Sequence, residues 1–273
     1  MKKFHIYILI MYLIVNCSKY LAQIVDSIFV SLNYNKIECN VVSDIDFKDE
    51  KNIYIILNIN NLTLVPKRFF VYNFEQLTTE KIWDDTFFEK CKLAEKILDY
   101  SLENIKVFYS KDLAAFHVPF GWTPILESKV LIDSNMKVID LMFLGSINKR
   151  RKRLLNRYNA YYKDKVFTES YDELVRKSKF SMNIHYYEGG SILEVTRIIP
   201  LICNNVQVIS ERSNDKYYDD IFDDIITFVD FENEDEVNEQ LLNYNFEKCI
   251  TSKKKLIDRL NYMEIIKNNL NLF

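Results

Sequence analysis

The sequence predicts an α/β protein of two domains, each built on a parallel sheet, meeting at a cleft. Three observations carry this. Short apolar runs rich in β-branched and aromatic residues alternate with amphipathic stretches of helical length. The runs are apolar throughout, as strands covered on both faces are. The pattern breaks once, at Pro119 to Met136, where Val-Pro-Phe-Gly-Trp-Thr-Pro and a polar spacer precede a new strand. The first domain is accordingly placed at 1–122 and the second at 137–273, with the C-terminal helix available to pack back on the first domain.

The elements follow in order. Lys2 and Lys3 precede the apolar run Phe4 to Val15, which has the outline of a signal peptide. His5 and two tyrosines interrupt it, no small-residue cleavage site follows, and it is too short to span a bilayer. It is read as a buried strand, Phe4–Leu9, entering a helix over Cys17–Leu32. Further first-half strands are expected at Ile53–Leu57, Phe69–Tyr72 and Lys106–Tyr109, with a helix over Thr79–Leu102. Second-half strands are expected at Val138–Leu144, Lys165–Phe167, Phe180–Ile184, Val206–Ile209 and Ile225–Phe228. The helices there are Asn148–Tyr161, Ser191–Cys203, Asp235–Tyr244 and Thr251–Leu270.

Composition narrows the function. Of 273 residues, 48% are hydrophobic, enough for one large core or two modest ones. The net charge of -3 argues against a general nucleic-acid binder. Five dispersed cysteines without a C-x-x-C pair indicate reduced thiols in a cytosol-like compartment, with no disulfide frame or zinc site.

The chain has only four glycines, Gly121, Gly145, Gly189 and Gly190, all at the break or after a second-half strand. Parallel sheets bind ligands beyond the carboxyl ends of their strands, where glycine lets backbone N–H groups approach an anion. In Glu188-Gly189-Gly190-Ser191 a helix start would suit a diphosphate. Ser191 and Glu194 also match a capping box, so Glu194 is either a cap or a carboxylate for ribose hydroxyls. After Leu144, Gly145 and Ser146 lead into Asn-Lys-Arg-Arg-Lys-Arg, cations that oppose the helix dipole unless an anion sits there. His185 beside Glu188 is either structural or an acid–base group. The aspartates between Asp215 and Glu239 fit no metal loop and read as a solvated face. In the first half, Asn73, Glu75 and Gln76 end a strand facing the cleft, and Asp99 to Ile105 caps or lines the same region.

Together, Tyr-Asn-Phe-Glu-Gln-Leu, Asp-Tyr-Ser-Leu-Glu-Asn-Ile, His-Val-Pro-Phe-Gly-Trp, Phe-Leu-Gly-Ser-Ile-Asn-Lys-Arg-Arg and Tyr-Tyr-Glu-Gly-x-x-x-Leu-Glu-x-x-Arg resemble a glycosyltransferase family of the GT-B fold, found in bacteria and large DNA viruses. The resemblance runs from about Phe69 to Phe231 and implies two Rossmann-like domains, the first reduced. It implies a nucleoside-diphosphate sugar donor and a glycan, protein or lipid acceptor, with no metal or other cofactor. Gly145, Ser146, Arg150 and Arg151 would meet the diphosphate, and Gly189 and Gly190 would leave room for it and the sugar. Glu194 would bind the ribose, oriented by Arg197, and Glu188 would lie near the donor sugar. Asn73, Glu75 and His185 stand as candidates at the reacting centre. Retention versus inversion is open.

Two departures bear on this. The first strand is not followed by a glycine-rich loop, and Pro200 interrupts the helix after Glu194, whose end carries Asn204-Asn205 in place of glycine. The rival readings are a non-catalytic GT-B-like binding module and a nucleotide-sugar epimerase. The expected location is cytoplasmic, the host cytoplasm for a viral chain, with peripheral membrane contact left open.

Overall fold

The computed structural model describes residues 11–16, 21–78, 83–164, 166, 169–189 and 191–273. The first half contains β1 (Tyr12–Val15), α1 (Ala22–Tyr34), β2 (Cys39–Val42), β3 (Ile53–Ile56), β4 (Phe69–Asn73), α2 (Asp85–Lys92), β5 (Lys96–Asp99), α3 (Leu102–Ser110) and β6 (Phe116–His117). Its six strands form one parallel sheet in the order β2-β1-β3-β4-β5-β6. The second half contains β7 (Ile139–Leu144), α4 (Lys149–Arg157), β8 (Tyr161–Lys163), α5 (Glu169–Lys177), β9 (Ser178–Asn183), α6 (Val195–Cys203), β10 (Gln207–Ser210), α7 (Lys216–Phe222), β11 (Thr227–Phe228), α8 (Glu234–Leu242), α9 (Phe246–Arg259) and α10 (Tyr262–Asn268). Its sheet is also parallel, in the order β11-β10-β9-β7-β8.

Short polar side chains start most of the helices. Asp84, Ser101, Asn148, Asp215, Asn233, Asn245 and Asn261 each accept from a backbone N–H of the first turn. Three of these caps correct the sequence reading. The expected helix Thr79–Leu102 is divided into α2, β5 and the start of α3, because Asp84 and Ser101 each begin a helix and Lys96–Asp99 pairs between β4 and β6. Lys106–Tyr109 is helical within α3 and not a strand. The helix expected at Thr251–Leu270 breaks where Leu260 leaves the helix and Asn261 caps α10. A short apolar run carries no periodicity that tells a buried strand from a buried helix, so pairing decides. The strand expected at Phe4–Leu9 lies outside the described residues, as do Lys165 and Phe167. The edge strands are β2 and β6 in the first sheet and β11 and β8 in the second.

At the end of α6, Asn205 takes a φ of 55°, as its tolerance of the left-handed region allows. Its N–H reaches the Ile202 carbonyl at 3.1 Å and the Val206 N–H reaches Leu201 at 3.1 Å, a Schellman closure made without glycine.

One apolar core runs through both halves, joining Ile14, Ile28 and Tyr72 to Ile198, Tyr218 and Tyr262. Separate clusters fill the other face of each sheet. The C-terminal segment returns to the first half. The Tyr262 and Tyr72 hydroxyls lie 2.9 Å apart, and Asn35 donates to the Met263 carbonyl at 2.8 Å. Gly121 serves this return, because a Cβ there would collide with the Leu260 carbonyl. Tyr218 adds a second tie, donating to the Tyr100 carbonyl at 2.9 Å and accepting from the Phe120 N–H at 3.2 Å. Cys39, Cys91, Cys203 and Cys249 are free and buried. Among the described residues, no helix is long and apolar enough to cross a membrane.

Candidate functional site

The loops beyond the carboxyl ends of both sheets meet in a cleft. Gln76, after β4, bridges it by donating to the Ile192 carbonyl at 2.9 Å and accepting from the Ile192 N–H at 3.2 Å. Two cavities open there. One, of about 360 Å³, lies between Phe74–Gln76, Trp83 and Tyr100 on one side and Arg151, Tyr186 and Tyr187 on the other. The other, of about 1170 Å³, lies between the start of α1, the segment Ile125–Val130, the end of β7 and α5. Ser146, Glu194, Thr196 and Arg197 line both.

Glu194 occupies the position before α6 but makes no capping bond, and the Ser191 hydroxyl donates instead to the Tyr187 carbonyl at 2.9 Å. The capping box is therefore not formed, and the helix begins at Val195, four residues later than expected. The Glu194 carboxylate turns back towards β9. It accepts from Asn183 Nδ2 at 3.0 Å, meets His185 Nδ1 at 2.8 Å and lies 3.4 Å from Arg151 Nη2. Burial opposes its charge, but His185, Arg197 and Arg151 outweigh that and hold its pKa down to about 2.

His185 is 5% exposed, with both ring nitrogens engaged. Nδ1 faces Glu194, and Nε2 faces the Arg212 carbonyl at 3.0 Å. Both partners can only accept, so both bonds form together only with the doubly protonated ring. Burial works against that charge, yet Glu194 and Glu211 raise the pKa above the usual histidine value. His185 is thereby enclosed beneath Glu194 and does not line either cavity.

Arg151 is 1% exposed. Its guanidinium donates to the Ile184 carbonyl at 2.9 and 2.6 Å and to the Ser146 carbonyl at 2.8 Å. It also stacks on the Phe143 and Tyr186 rings, 5.1 Å from each centroid. Burial and neighbouring Arg197 pull its pKa down to about 9. It ties the loop after β7 to the loop after β9. Arg150 is committed to an ion pair with Glu211 and donates to the His185 carbonyl at 3.2 Å. Arg153 and Arg157 pair with Glu232, so much of the basic helix face is compensated within the fold.

Arg197 is the cation that faces both cavities. It donates to Asn183 Oδ1 at 2.9 Å and stacks on Phe143 at 5.2 Å. It reaches Glu194 through Asn183, not by a direct hydrogen bond. Gly145 has a φ of 154°, and a Cβ there would lie 3.2 Å from Arg197 Nη2. Glycine therefore allows this arginine to pass. Glu188 is 77% exposed, 3.7 Å from Arg150, and lines neither cavity. Gly189 is half-buried beside it, and Gly190 lies outside the described residues.

Asn73 is 2% exposed and turned inward. Its amide donates to Asp99 at 2.7 Å and to the Glu75 carbonyl at 3.0 Å, and its oxygen accepts from the Glu75 N–H at 3.2 Å. Asn104 adds bonds to the Glu75 carbonyl at 2.7 Å and to Asp99 at 3.1 Å. Asn73 thus fixes the loop that carries Glu75, while Glu75 itself is exposed in the smaller cavity. Sequence reasoning missed Asn183, the hub between Glu194, Arg197 and Ser210, and it missed the anchoring role of Asp99. The only available signal was their place as the polar last residue of an apolar strand.

No family model matches the chain. It is similar to two uncharacterized proteins of Acanthamoeba polyphaga mimivirus. R358 is 28% identical over 183 residues, 64% of this chain and 62% of that protein. L137 is 29% identical over 171 residues, 60% of this chain and 23% of that protein. The chain thus spans less than two thirds of the length of either. Among solved structures, AviGT4, a glycosyltransferase involved in avilamycin A biosynthesis, gives a TM-score of 0.63 at 8% identity, covering 97% of this chain and 96% of that one. Anabaena Alr3699/HepE, solved with UDP and glucose, gives 0.63 at 8% identity over 97% and 100%. S. aureus TarM, solved with UDP, gives 0.57 at 12% identity over 84% of this chain and 56% of that one. These likenesses establish the fold: two Rossmann-like parallel-sheet units arranged as in GT-B glycosyltransferases.

Proposed function

We propose that this chain is a glycosyltransferase that takes a sugar from a nucleoside-diphosphate donor bound in the cleft and passes it to a glycan, protein or lipid acceptor, without a metal. The observation that carries the reading is Glu194. It stands at a helix start without capping it, and three donors hold it ionised at the junction of the two cavities. A carboxylate kept charged and oriented there suits the vicinal hydroxyls of a ribose.

The diphosphate falls to Gly145, Ser146, Arg197 and the N–H groups that begin α6. Glycosyl transfer releases a diphosphate, so negative charge grows on its oxygens as the bond breaks. A helix N-terminus and a fixed guanidinium stabilise that charge without a metal. Arg151 and Arg150 act at one remove, by holding the two loops. Glu188 and Gly189 stay candidates for the donor sugar, beside Arg150.

The test is a thermal-shift screen of the purified chain against UDP-, GDP-, ADP-, CMP- and dTDP-sugars. A ligand that binds only the folded state raises the melting temperature. One nucleotide family should raise it, and Glu194→Ala should abolish the rise. A flat response of folded protein to all five would discard this reading in favour of a binding module.

A further inference from the structure

Gln76 belongs to the first half, just beyond β4, and Ile192 to the second, shortly before Glu194. Between them an amide meets an amide. Gln76 Nε2 donates to the Ile192 carbonyl at 2.9 Å, and its Oε1 accepts from the Ile192 N–H at 3.2 Å. This is the paired exchange that opposite residues of antiparallel strands make. Both ends of the contact are held. The Gln76 carbonyl accepts from the Trp83 indole N–H at 3.0 Å. Asn104 fixes the residues on either side, accepting from the Leu77 N–H at 2.8 Å and donating to the Glu75 carbonyl at 2.7 Å. Opposite, the Ser191 carbonyl accepts from the Asn214 N–H at 2.8 Å. Ile192 is fully buried, and among the described residues no other hydrogen bond reaches its N–H or its carbonyl. Its backbone is therefore satisfied from the other half of the molecule, and a buried amide stripped of its partners is costly. Tyr262 with Tyr72, Tyr218 with the Tyr100 carbonyl, and Ser101 with Asp215 also join the halves. Of these ties, that of Gln76 is the one that reaches the segment carrying Glu188, Gly189 and Glu194.

We propose that Gln76 is a positioning residue: it clasps the Ile192 amide and so sets the spacing between the loop after β4 and the loop that leads into Glu194. The inference rests on the glycosyl-transfer reading above. Glu194 keeps its own donors, Asn183, His185 and Arg151, all from the second half. Loss of the clasp therefore leaves nucleotide binding in place. What it disturbs is the alignment of the first half with the bound donor. Transfer is sensitive to that alignment, because displacing a reacting group by about 1 Å costs ~10²-fold in rate.

Wild type, Gln76→Leu and Gln76→Glu test this. Amide exchange at Ile192, followed by NMR, should be slow in the wild type and about tenfold or more faster in Gln76→Leu. Gln76→Glu separates hydrogen bonding from space filling. Its protonated carboxyl offers a donor and an acceptor, whereas its carboxylate has no donor for the Ile192 carbonyl. Its exchange rate should therefore approach that of the wild type as pH falls towards ~4.3 and exceed it at pH 7. A ratio of the two rates that does not change with pH overturns the clasp.

The nucleotide sugar that raises the melting temperature in the screen is then titrated by calorimetry. Its turnover is followed as nucleoside diphosphate released, with p-nitrophenyl hexosides and water as acceptors. Gln76→Leu should bind it within about twofold of the wild type and turn it over ~10²-fold more slowly. Turnover within about threefold of the wild type, or unchanged exchange at Ile192, overturns the positioning role while the donor reading stands. A wild type that binds no nucleotide sugar, or binds one and releases no diphosphate from it, removes the glycosyl-transfer reading and the positioning role with it.

Discussion

The His185 ring lies 2.8 Å from the Glu194 carboxylate, and a second acceptor, the Arg212 carbonyl, sits 3.0 Å from its other nitrogen. A neutral imidazole has one N–H and satisfies only one of these partners. The charged pair is therefore a built part of the cleft, and it determines how the site responds to pH.

Glu194 and Glu211 favour the charged form of His185 against the effect of burial. Its folded pKa is raised, so its contribution is fully present below the unfolded value of ~6.5 and is lost as pH rises through the folded value. Urea unfolding between pH 6 and pH 8 should show wild-type stability falling over that interval. His185→Gln, which keeps a donor but no charge, should start lower and show a flatter profile. Parallel profiles would mean that the ring is neutral throughout.

Glu194 runs the other way. Its folded pKa is lowered to about 2, so its contribution is present above the unfolded value of ~4.3 and is lost only as pH falls through the folded one. At pH 7 the Glu194 carboxylate is ionised. Removing the carboxylate leaves buried Arg151 without its counter-ion and lets His185 lose its proton, at a cost of about 3–5 kcal/mol for breaking a buried pair. Glu194→Gln should thus lower the urea midpoint as well as nucleotide affinity, and an unchanged midpoint would contradict the network.

Arg151 should tolerate no substitute. Lysine cannot reach the Ile184 and Ser146 carbonyls together or stack between Phe143 and Tyr186. Arg151→Lys should destabilise by about 2–4 kcal/mol. Arg153→Lys, at an exposed pair with Glu232, should stay within ~0.5 kcal/mol. Comparable losses in the two variants would rule out the clamp.

The glycines separate by role. Gly121→Ala brings a methyl group onto the Leu260 carbonyl, so it should lower the melting temperature and spare nucleotide affinity in whatever protein remains folded. Gly145→Ala strains a φ of 154° and crowds Arg197, so it should weaken nucleotide binding at a smaller cost in stability. Calorimetric titration of both variants with the nucleotide found by screening decides between them.

Asp99 is buried and receives donors from Asn73, Asn104 and the Ser101 N–H. Burial raises its pKa well above the usual carboxylate range, against the pull of those donors. Asp99→Asn would turn an amide against two others and loosen the Glu75 loop. Turnover should fall while nucleotide affinity holds, because the donor contacts lie on the other sheet. Loss of nucleotide affinity in this variant would show that the two loops are not independent.

The two-domain α/β class was legible in the sequence because continuous apolar runs and a proline-glycine break are local features. The segment from Asn183 to Arg197 also stood out in the sequence, by two adjacent glycines and two glutamates in a glycine-poor chain, and of these Glu194 lines both cavities while Glu188 lines neither. Local features did not decide whether Lys96–Asp99 is a strand or helix, since four residues carry no usable period and only pairing with β4 and β6 selects one. Nor did they decide what Glu194 does, because the capping box and the ribose carboxylate share one spacing. Tertiary structure separated these readings by supplying partners from distant positions. Asn183, His185 and Arg151 draw Glu194 away from its helix, Glu211 takes Arg150, and Asp99 draws Asn73 inward and leaves Glu75 in the cleft. Hydrogen bonds and ion pairs between residues far apart in the chain depend on relative placement in space, and spacing along the sequence does not encode that.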